Sequence, residues 1–305
     1  MLEQQRSEGS PSTRAGASVA AWGQDVRTGL VRFCRSKPLG AAGGIITILL
    51  IIMAILANVV APYQPKESLG RENVHLPPQQ GHIMGTDHAG RDVLSRVIHG
   101  ARISLYVGFG SVVVGIALGF ILAVLTTYAG GIIDLAFQRL VDSLMALPGL
   151  IIALAIVAVL GSSLQNVIIA IVVGMLAPVI RTVRSQVLTT KELDYILAAR
   201  AIGASPLRLV FRHITPNCMA IALVVATYYL GLAITIEASL SFLGVGVPPD
   251  VPSWGGMLKR AAEEHVRTAP WVAMFPGLAI FVVVFGFNLL GDALRDAWDP
   301  KLRGR

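Results

Sequence analysis

Charge is what this chain has least of. Of its 305 residues only 14% are Asp, Glu, Lys or Arg and 54% are hydrophobic, with a mean hydropathy of +0.68; an ordinary soluble domain carries roughly 25% charged residues. The shortage argues against a soluble globular chain and points to a polytopic membrane protein. Cysteine is scarce as well, and Cys34 and Cys218 are read as neither a disulfide nor a metal site. No Gly-Lys dipeptide occurs, so the loop with which ATPases cradle phosphate cannot be written on this chain. His-Glu-x-x-His, Cys-x-x-Cys and Gly-x-Ser-x-Gly are missing too, and with them the common hydrolytic and redox constellations. His75, His82 and His88 have no regular ligand spacing and read as loop histidines rather than a metal site. The net charge of +7 lies between apolar runs, not in aromatic-interleaved patches, so it excludes a nucleic-acid partner and speaks of topology. Residues 1–22 carry no apolar core of signal-peptide length and read as a disordered cytoplasmic tail.

What the chain does have is six apolar runs near the roughly 20 residues that span a bilayer. They fall at about Leu39–Ala61, Ser104–Thr127, Leu140–Leu160, Val167–Ile180, Cys218–Ala238 and Trp271–Leu290. The third is interrupted by Leu147-Pro148-Gly149, where a kink is expected, and the fourth is short enough that it is extended back to Leu164. With the N-terminus inside, seventeen Lys and Arg lie on the cytoplasmic side and eight on the other. That asymmetry places both termini in the cytoplasm. Arg91, Arg96 and Arg102 run against it, offset in part by Asp87 and Asp92. Val93, Leu94, Val97 and Ile98 form an apolar face that predicts an amphipathic helix on the outer membrane surface ahead of the second span. The resulting layout is a cytoplasmic tail at 1–38, a first span at 39–61, an extracytoplasmic segment at 62–102, a five-helix core at 103–295 and a cytoplasmic tail at 296–305.

The longest polar interval in the second half, Lys191–Asn217, reads as two short helices around a sharp corner. Leu193, Ile196, Leu197 and Ala201 share one helical face. Gly203 stands where a helix wants a left-handed residue at its C-terminal end, and Ser205-Pro206 supplies an N-cap with proline at the first position. Leu207, Val210, Phe211 and Ile214 form the second apolar face, beside Arg208 and Arg212, and Pro216-Asn217 closes the helix. Pinned to the membrane at both ends, such an element suits transmission of force from a soluble partner. Inside the spans, Asp142 and Glu237 are possible pathway residues or simply interfacial ones, Asp292 and Arg295 read as boundary charges, and Gly108, Gly110, Gly115 and Gly119 signal close helix packing.

The run Ala198-Ala199-Arg200-Ala201-Ile202-Gly203 with Arg212-His213-Ile214-Thr215-Pro216-Asn217 resembles the EAA loop of binding-protein-dependent ABC importer permeases. Gly85-Thr86-Asp87, Gly90 to Arg96 and Gly100 to Leu105 are similar to the outer segment of the second permease of the dipeptide, oligopeptide and nickel group. Glu237 to Gly244, Pro252-Ser253-Trp254-Gly255 and the ending Gly291 to Lys301 resemble the same group, so the likeness runs from about Arg35 to Arg303. One position departs: where that family often carries Glu before the paired alanines, this chain has Leu197.

The resemblance implies an all-α, six-span type I permease fold and a non-catalytic subunit that forms half of a pathway for di- or oligopeptides. Glutathione or nickel are alternative cargoes. It implies a homologous permease as heterodimer partner, two ATPase domains that hold ATP and Mg, an extracytoplasmic solute-binding protein, and a bacterial or archaeal cytoplasmic membrane; this chain itself would bind no cofactor. Leu197, Ala198, Ala199, Arg200, Gly203, Ser205 and Arg208 would meet the ATPase, and Asp87, Arg91, Asp92 and Trp254 would dock or gate the binding protein. An ion-coupled carrier acting alone would be expected to show ionisable groups at mid-membrane and inverted repeats, and neither is visible.

Overall fold

The computed structural model describes residues 34–35, 37–248, 250–264 and 268–298. Residues 1–33 and 299–305, the greater part of both expected tails, lie outside that description. Among the described residues nine helices organise the fold: α1 Pro38–Ile55, α2 Val93–Ala129, α3 Gly131–Met145, α4 Gly149–Leu160, α5 Leu164–Lys191, α6 Asp194–Ala201, α7 Thr215–Phe242, α8 Trp254–Glu264 and α9 Trp271–Trp298. A short turn at Ala57–Val60 extends α1, and Pro206–Arg208 with a π-helix at Leu209–Ile214 leads into α7.

Among the described residues, five helical runs are long and apolar enough to cross a membrane, and α3 with α4, bent by 84° between them, bring the number to six if the pair is one span. Pro148 causes the bend. It denies α4 an N–H at its start and keeps Ala146 and Leu147 from continuing α3, so the kink foreseen there is a near right angle. The chain alternates between two ends. One, here the upper end, carries residues 62–92 and α8; the lower end carries α6, and Lys37 pairs there with Asp296 at 2.7 Å, so the two limits of the described chain meet. The α2 helix lies against α5 and α7, and α9 bridges α7 to α1. Gly115 and Gly119 of α2 let Met175 and Val179 of α5 approach, so these small residues serve packing inside the chain.

Three sequence expectations need correction. Val93–Ile98 do not form a separate surface helix: they are the first turns of α2, whose 37 residues reach about 55 Å, well beyond a hydrocarbon core of about 30 Å. Asp92 starts that helix by accepting from Ser95 N at 2.8 Å. The amphipathic helix of the upper end is instead α8, within the interval Ser241–Pro270 between the fifth and sixth apolar runs, which the sequence presents as a polar loop. Finally, Pro216 and Asn217 do not end a helix. Proline needs no N–H bond in a first turn, and the π-turn runs straight into α7.

Candidate functional site

The lower elbow is built as the local signals require. The end of α6 forms a paired closure, with Gly203 N bonded to Arg200 O and Ala204 N to Ala199 O, both at 3.0 Å, and Gly203 at φ +86°. Ser205 Oγ then accepts from Arg208 N at 3.4 Å, and Pro206 takes the first helical position. The Asn217 amide donates to the Tyr195 hydroxyl at 2.8 Å and to His213 O at 2.7 Å, tying α6 to the foot of α7.

The elbow's apolar faces are divided differently from the periodicity reading. Ile196, Leu209, Val210 and Ile214 are buried and anchor it to the bundle, with Ala199 packed against them. Leu193 and Leu197 point outward, as do Leu207 and Phe211, and Ile202 is 87% exposed. The reason is tertiary: α6 is a short helix across the bundle's foot, so only the one side chain directly over the core is covered. The result is an apolar rim around the corner, with Ala198, Arg200 and Arg208 exposed beside it. Ile202 was assigned no role in the sequence; its position just before the corner glycine is the signal that could have marked it.

At the upper end the unexplained arginines find partners. Asp87 accepts from Ala89 N at 2.8 Å, Arg91 N at 3.0 Å and Arg91 Nε at 2.9 Å, and Arg96 Nε stands 3.5 Å away. Burial pushes the Asp87 carboxyl up, but the Arg91 and Arg96 charges and the backbone donors outweigh it and hold the group below the usual carboxylate value. Arg96 also donates to Pro65 O at 2.9 Å, while Arg102 reaches across to α1 and donates to Ala54 O at 3.1 Å and Ile55 O at 3.0 Å. Asp92 completes the knot by accepting from Ser95 Oγ at 2.7 Å, with His82 Nδ1 at 3.1 Å. His88 lies 3.4 Å from Arg91 Nη2.

Trp254 of α8 is fully buried over Gly100 of α2, and its indole N–H donates to Val97 O at 2.9 Å. Asp87, Asp92 and Trp254 therefore cannot touch a docking protein directly. This corrects the contact half of that expectation: they are the frame that holds the upper loops on α2. Gly85 shows how tight the frame is, because at φ +73° it lies against Leu76 O and the Trp271 indole. Below it, Glu237 is buried in α7 and accepts from Ser104 of α2 and Ser241 of α7, each at 2.9 Å. It ties α7 to α2.

A second set of charges joins α3 to α5. Arg184 grips Asp134 with two bonds, Nε to Oδ1 at 3.0 Å and Nη2 to Oδ2 at 2.7 Å, and Asp142 pairs with Arg181. Of these, only Asp142 had stood out in the sequence. The partners are 50 and 39 residues apart, beyond the reach of any local pattern.

A bundle of apolar, membrane-length helices with an exposed elbow at one end and a braced loop cap at the other defines a polytopic membrane protein. Residues 115–304 match the family described as the binding-protein-dependent transport system inner membrane component, and residues 24–78 match the N-terminal transmembrane domain of oligopeptide transport permease C. The chain belongs to this family of inner-membrane permeases, in the dipeptide and oligopeptide group of ABC importers. It is 44% identical over 271 residues to the di/tripeptide transport system permease protein DppC of Pseudomonas aeruginosa, covering 87% of this chain and 89% of the relative. It is 42% identical over 272 residues to the glutathione transport system permease protein GsiD of Pectobacterium atrosepticum, covering 89% and 90%. The GsiD protein of an Escherichia coli strain is 43% identical over 270 residues, covering 88% and 89%.

Proposed function

We propose that this chain is one of two permease subunits of an ATP-driven peptide importer, that its lower end faces the cytoplasm, and that its elbow is the contact through which partner ATPases drive it. The orientation is supported by the basic residues, which are concentrated at the foot of α5 and in the elbow, while Arg91, Arg96 and Arg102 of the upper end bond within the chain. The observation that carries the coupling role is the apolar rim of Leu193, Leu197, Ile202, Leu207 and Phe211 on a corner anchored from beneath. Large side chains exposed to water on a short, doubly tied element mark a docking surface. Leu197 then adds apolar contact where relatives often place an acid.

ATP-driven approach of two ATPases would displace the elbow. Because the Pro206–Phe242 run is helical throughout, the displacement would reach the membrane portion of α7. The upper cap would receive the solute-binding protein on its exposed loops, with the Asp87, Arg91, Asp92 and Trp254 frame fixing their position. Di- and tripeptides are the preferred cargo, and glutathione, itself a peptide, is favoured as the alternative by the second group of relatives. The test is Gly203→Asp in the reconstituted importer. It places a side chain at φ +86° and a charge at the apolar corner, and ATP hydrolysis stimulated by loaded binding protein and peptide uptake should both fall while membrane insertion persists. Normal uptake in that variant sinks the docking role.

A further inference from the structure

In the lower half of the bundle α5, α7 and α9 line an open cavity of about 290 Å³. Its polar lining is Thr182, Tyr228, Tyr229, Asn288, Asp292 and Arg295, over an apolar floor from α7. Depth follows from helix rise. Tyr228 lies about 21 Å along α7 from its upper end at Phe242, and Asn288 about 26 Å along α9 from Trp271. Both fall inside a hydrocarbon core of about 30 Å, with Asp292 and Arg295 at its lower boundary.

These groups differ from the other charges of the lower end. Asp134 is held by Arg184, Asp142 by Arg181 and Asp296 by Lys37. Around the cavity, no described residue supplies a hydrogen bond or ion pair to the Tyr228 and Tyr229 hydroxyls, the Asn288 amide, the Asp292 carboxylate or the Arg295 guanidinium. The two tyrosines meet only ring to ring, at 5.4 Å. Polar groups at membrane depth with no partner on their own chain do not face lipid; they face a partner subunit, a water-filled passage or what travels through it.

Their chemistry is also specific. Asp292 and Arg295 are three residues apart on α9 and so share a face, with Cβ atoms roughly 5–6 Å apart, yet they do not pair. An acid and a base held side by side and left open match the ammonium and carboxylate of a zwitterion. The reach of the two side chains covers the roughly 7 Å between the ends of a dipeptide. Tyrosine hydroxyls and a carboxamide are suited to the amide groups between those ends.

We infer that this cavity is the portion of the solute passage contributed by this chain, and that Asp292 and Arg295 hold the charged ends of a short zwitterionic peptide on its way to the cytoplasm. The inference rests on the peptide-importer reading and adds to it a place and a set of residues.

Two measurements on the complete importer in proteoliposomes test it. In a background of Cys34→Ser and Cys218→Ala, Asn288→Cys is exposed to a charged, membrane-impermeant methanethiosulfonate from the lower side and compared with Phe281→Cys on the exposed apolar face of α9. Modification at least tenfold faster at position 288 is expected; equal rates would place the cavity against lipid or a partner helix and overturn the passage. Separately, uptake of L-alanyl-L-alanine per ATP hydrolysed should fall at least tenfold in Arg295→Gln and recover in part in Arg295→Lys. An unchanged ratio, or one that Lys fails to improve, removes the carboxylate contact. If the unaltered importer neither takes up the dipeptide nor hydrolyses ATP in response to loaded binding protein, it is the importer reading that fails, and the labelling comparison still decides whether the cavity holds water.

Discussion

Ile196 and Ile202 lie six residues apart on the same elbow, and truncating each to alanine should have opposite consequences. Ile196 is fully buried beneath α6, whereas Ile202 is 87% exposed. Ile202→Ala removes three carbons that touch almost nothing in the isolated chain, so the thermal midpoint of the purified permease should stay within about a degree. If the rim seats in an ATPase, the same carbons leave water on docking. At about 0.8 kcal/mol per buried CH₂ group, scaled by the exposed fraction, the loss is about 2 kcal/mol, or about thirtyfold in affinity. Ile196→Ala should instead leave a cavity costing about 2–5 kcal/mol of stability. The assay is a titration of the permease in nanodiscs with its ATPase, read as association and as hydrolysis stimulated by loaded binding protein, beside a melting curve of the permease alone. An Ile202→Ala protein that binds the ATPase within twofold of the original would refute the docking rim, because no fold defect could hide the effect.

Three further outcomes follow from the same geometry. Gly85→Ala should destabilise the upper cap by about 2 kcal/mol or more, seen as a lower melting temperature, since a Cβ would come within 2.6 Å of Leu76 O and of the Trp271 indole nitrogen on a backbone at φ +73°. Asp134→Asn should cost about 1–2 kcal/mol, a figure discounted because Arg184 retains some water contact, and Asp134→Asn with Arg184→Gln should recover part of the loss in a double-mutant cycle. Asp87 titrates below its ordinary 3.8 in the folded chain, so its contribution is complete above that value and disappears as the pH falls through the lower, folded one. Protection of residues 62–92 from hydrogen exchange, taken relative to the intrinsic amide rate at each pH, should fall below about pH 4, and Asp87→Asn should remove that dependence.

The parts legible in the sequence are those decided within a few residues. Gly203, Ser205 and Pro206 specify the elbow's corner by backbone preference alone, Pro148 specifies the break between α3 and α4, and the six apolar runs mark the five long apolar helices and the bent pair. The parts that were not legible depend on partners far along the chain. Arg91, Arg96 and Arg102 looked like violations of topology because Asp87 is an ordinary loop acid until folded, and because Pro65 O, Ala54 O and Ile55 O are backbone atoms no pattern can advertise. The continuity of α2 was hidden for the same reason. Its polar first turns read as a surface helix, yet they project from the membrane and are covered by the cap. The periodicity of α6 showed an apolar face correctly, but a face can be turned to the core or to a partner, and only packing decides. Trp254 was singled out for its motif, and its burial over Gly100 gives it a bracing role that motif spacing alone could not distinguish from docking.

The contacts also indicate where this permease can yield and where it cannot. The upper loops are fixed to the head of α2 by buried ion pairs and by Trp254, and α2 is fixed to α7 through Ser104 and Glu237, so the cap, α2 and the upper part of α7 form one body. At the lower end, the anchor residues Ile196, Leu209, Val210 and Ile214 bind the elbow to the foot of the same helix. Between the two, the run from Pro206 to Phe242 contains one departure from α geometry, the π-turn at Leu209–Ile214, where backbone hydrogen bonding is least regular. A push on the elbow is therefore either carried up α7 as a rigid rotation or absorbed in that turn. Coupling requires the first, because an elbow that flexed freely at its root would bind an ATPase equally well in every state and so shift none of them. The Tyr195–Asn217–His213 bonds span the π-turn from α6 to the base of α7 and oppose such flexing. By this reasoning they belong to the proposed transmission itself, and Tyr195, 44% exposed, stands beside Leu193 and Leu197 of the rim proposed to meet the ATPase.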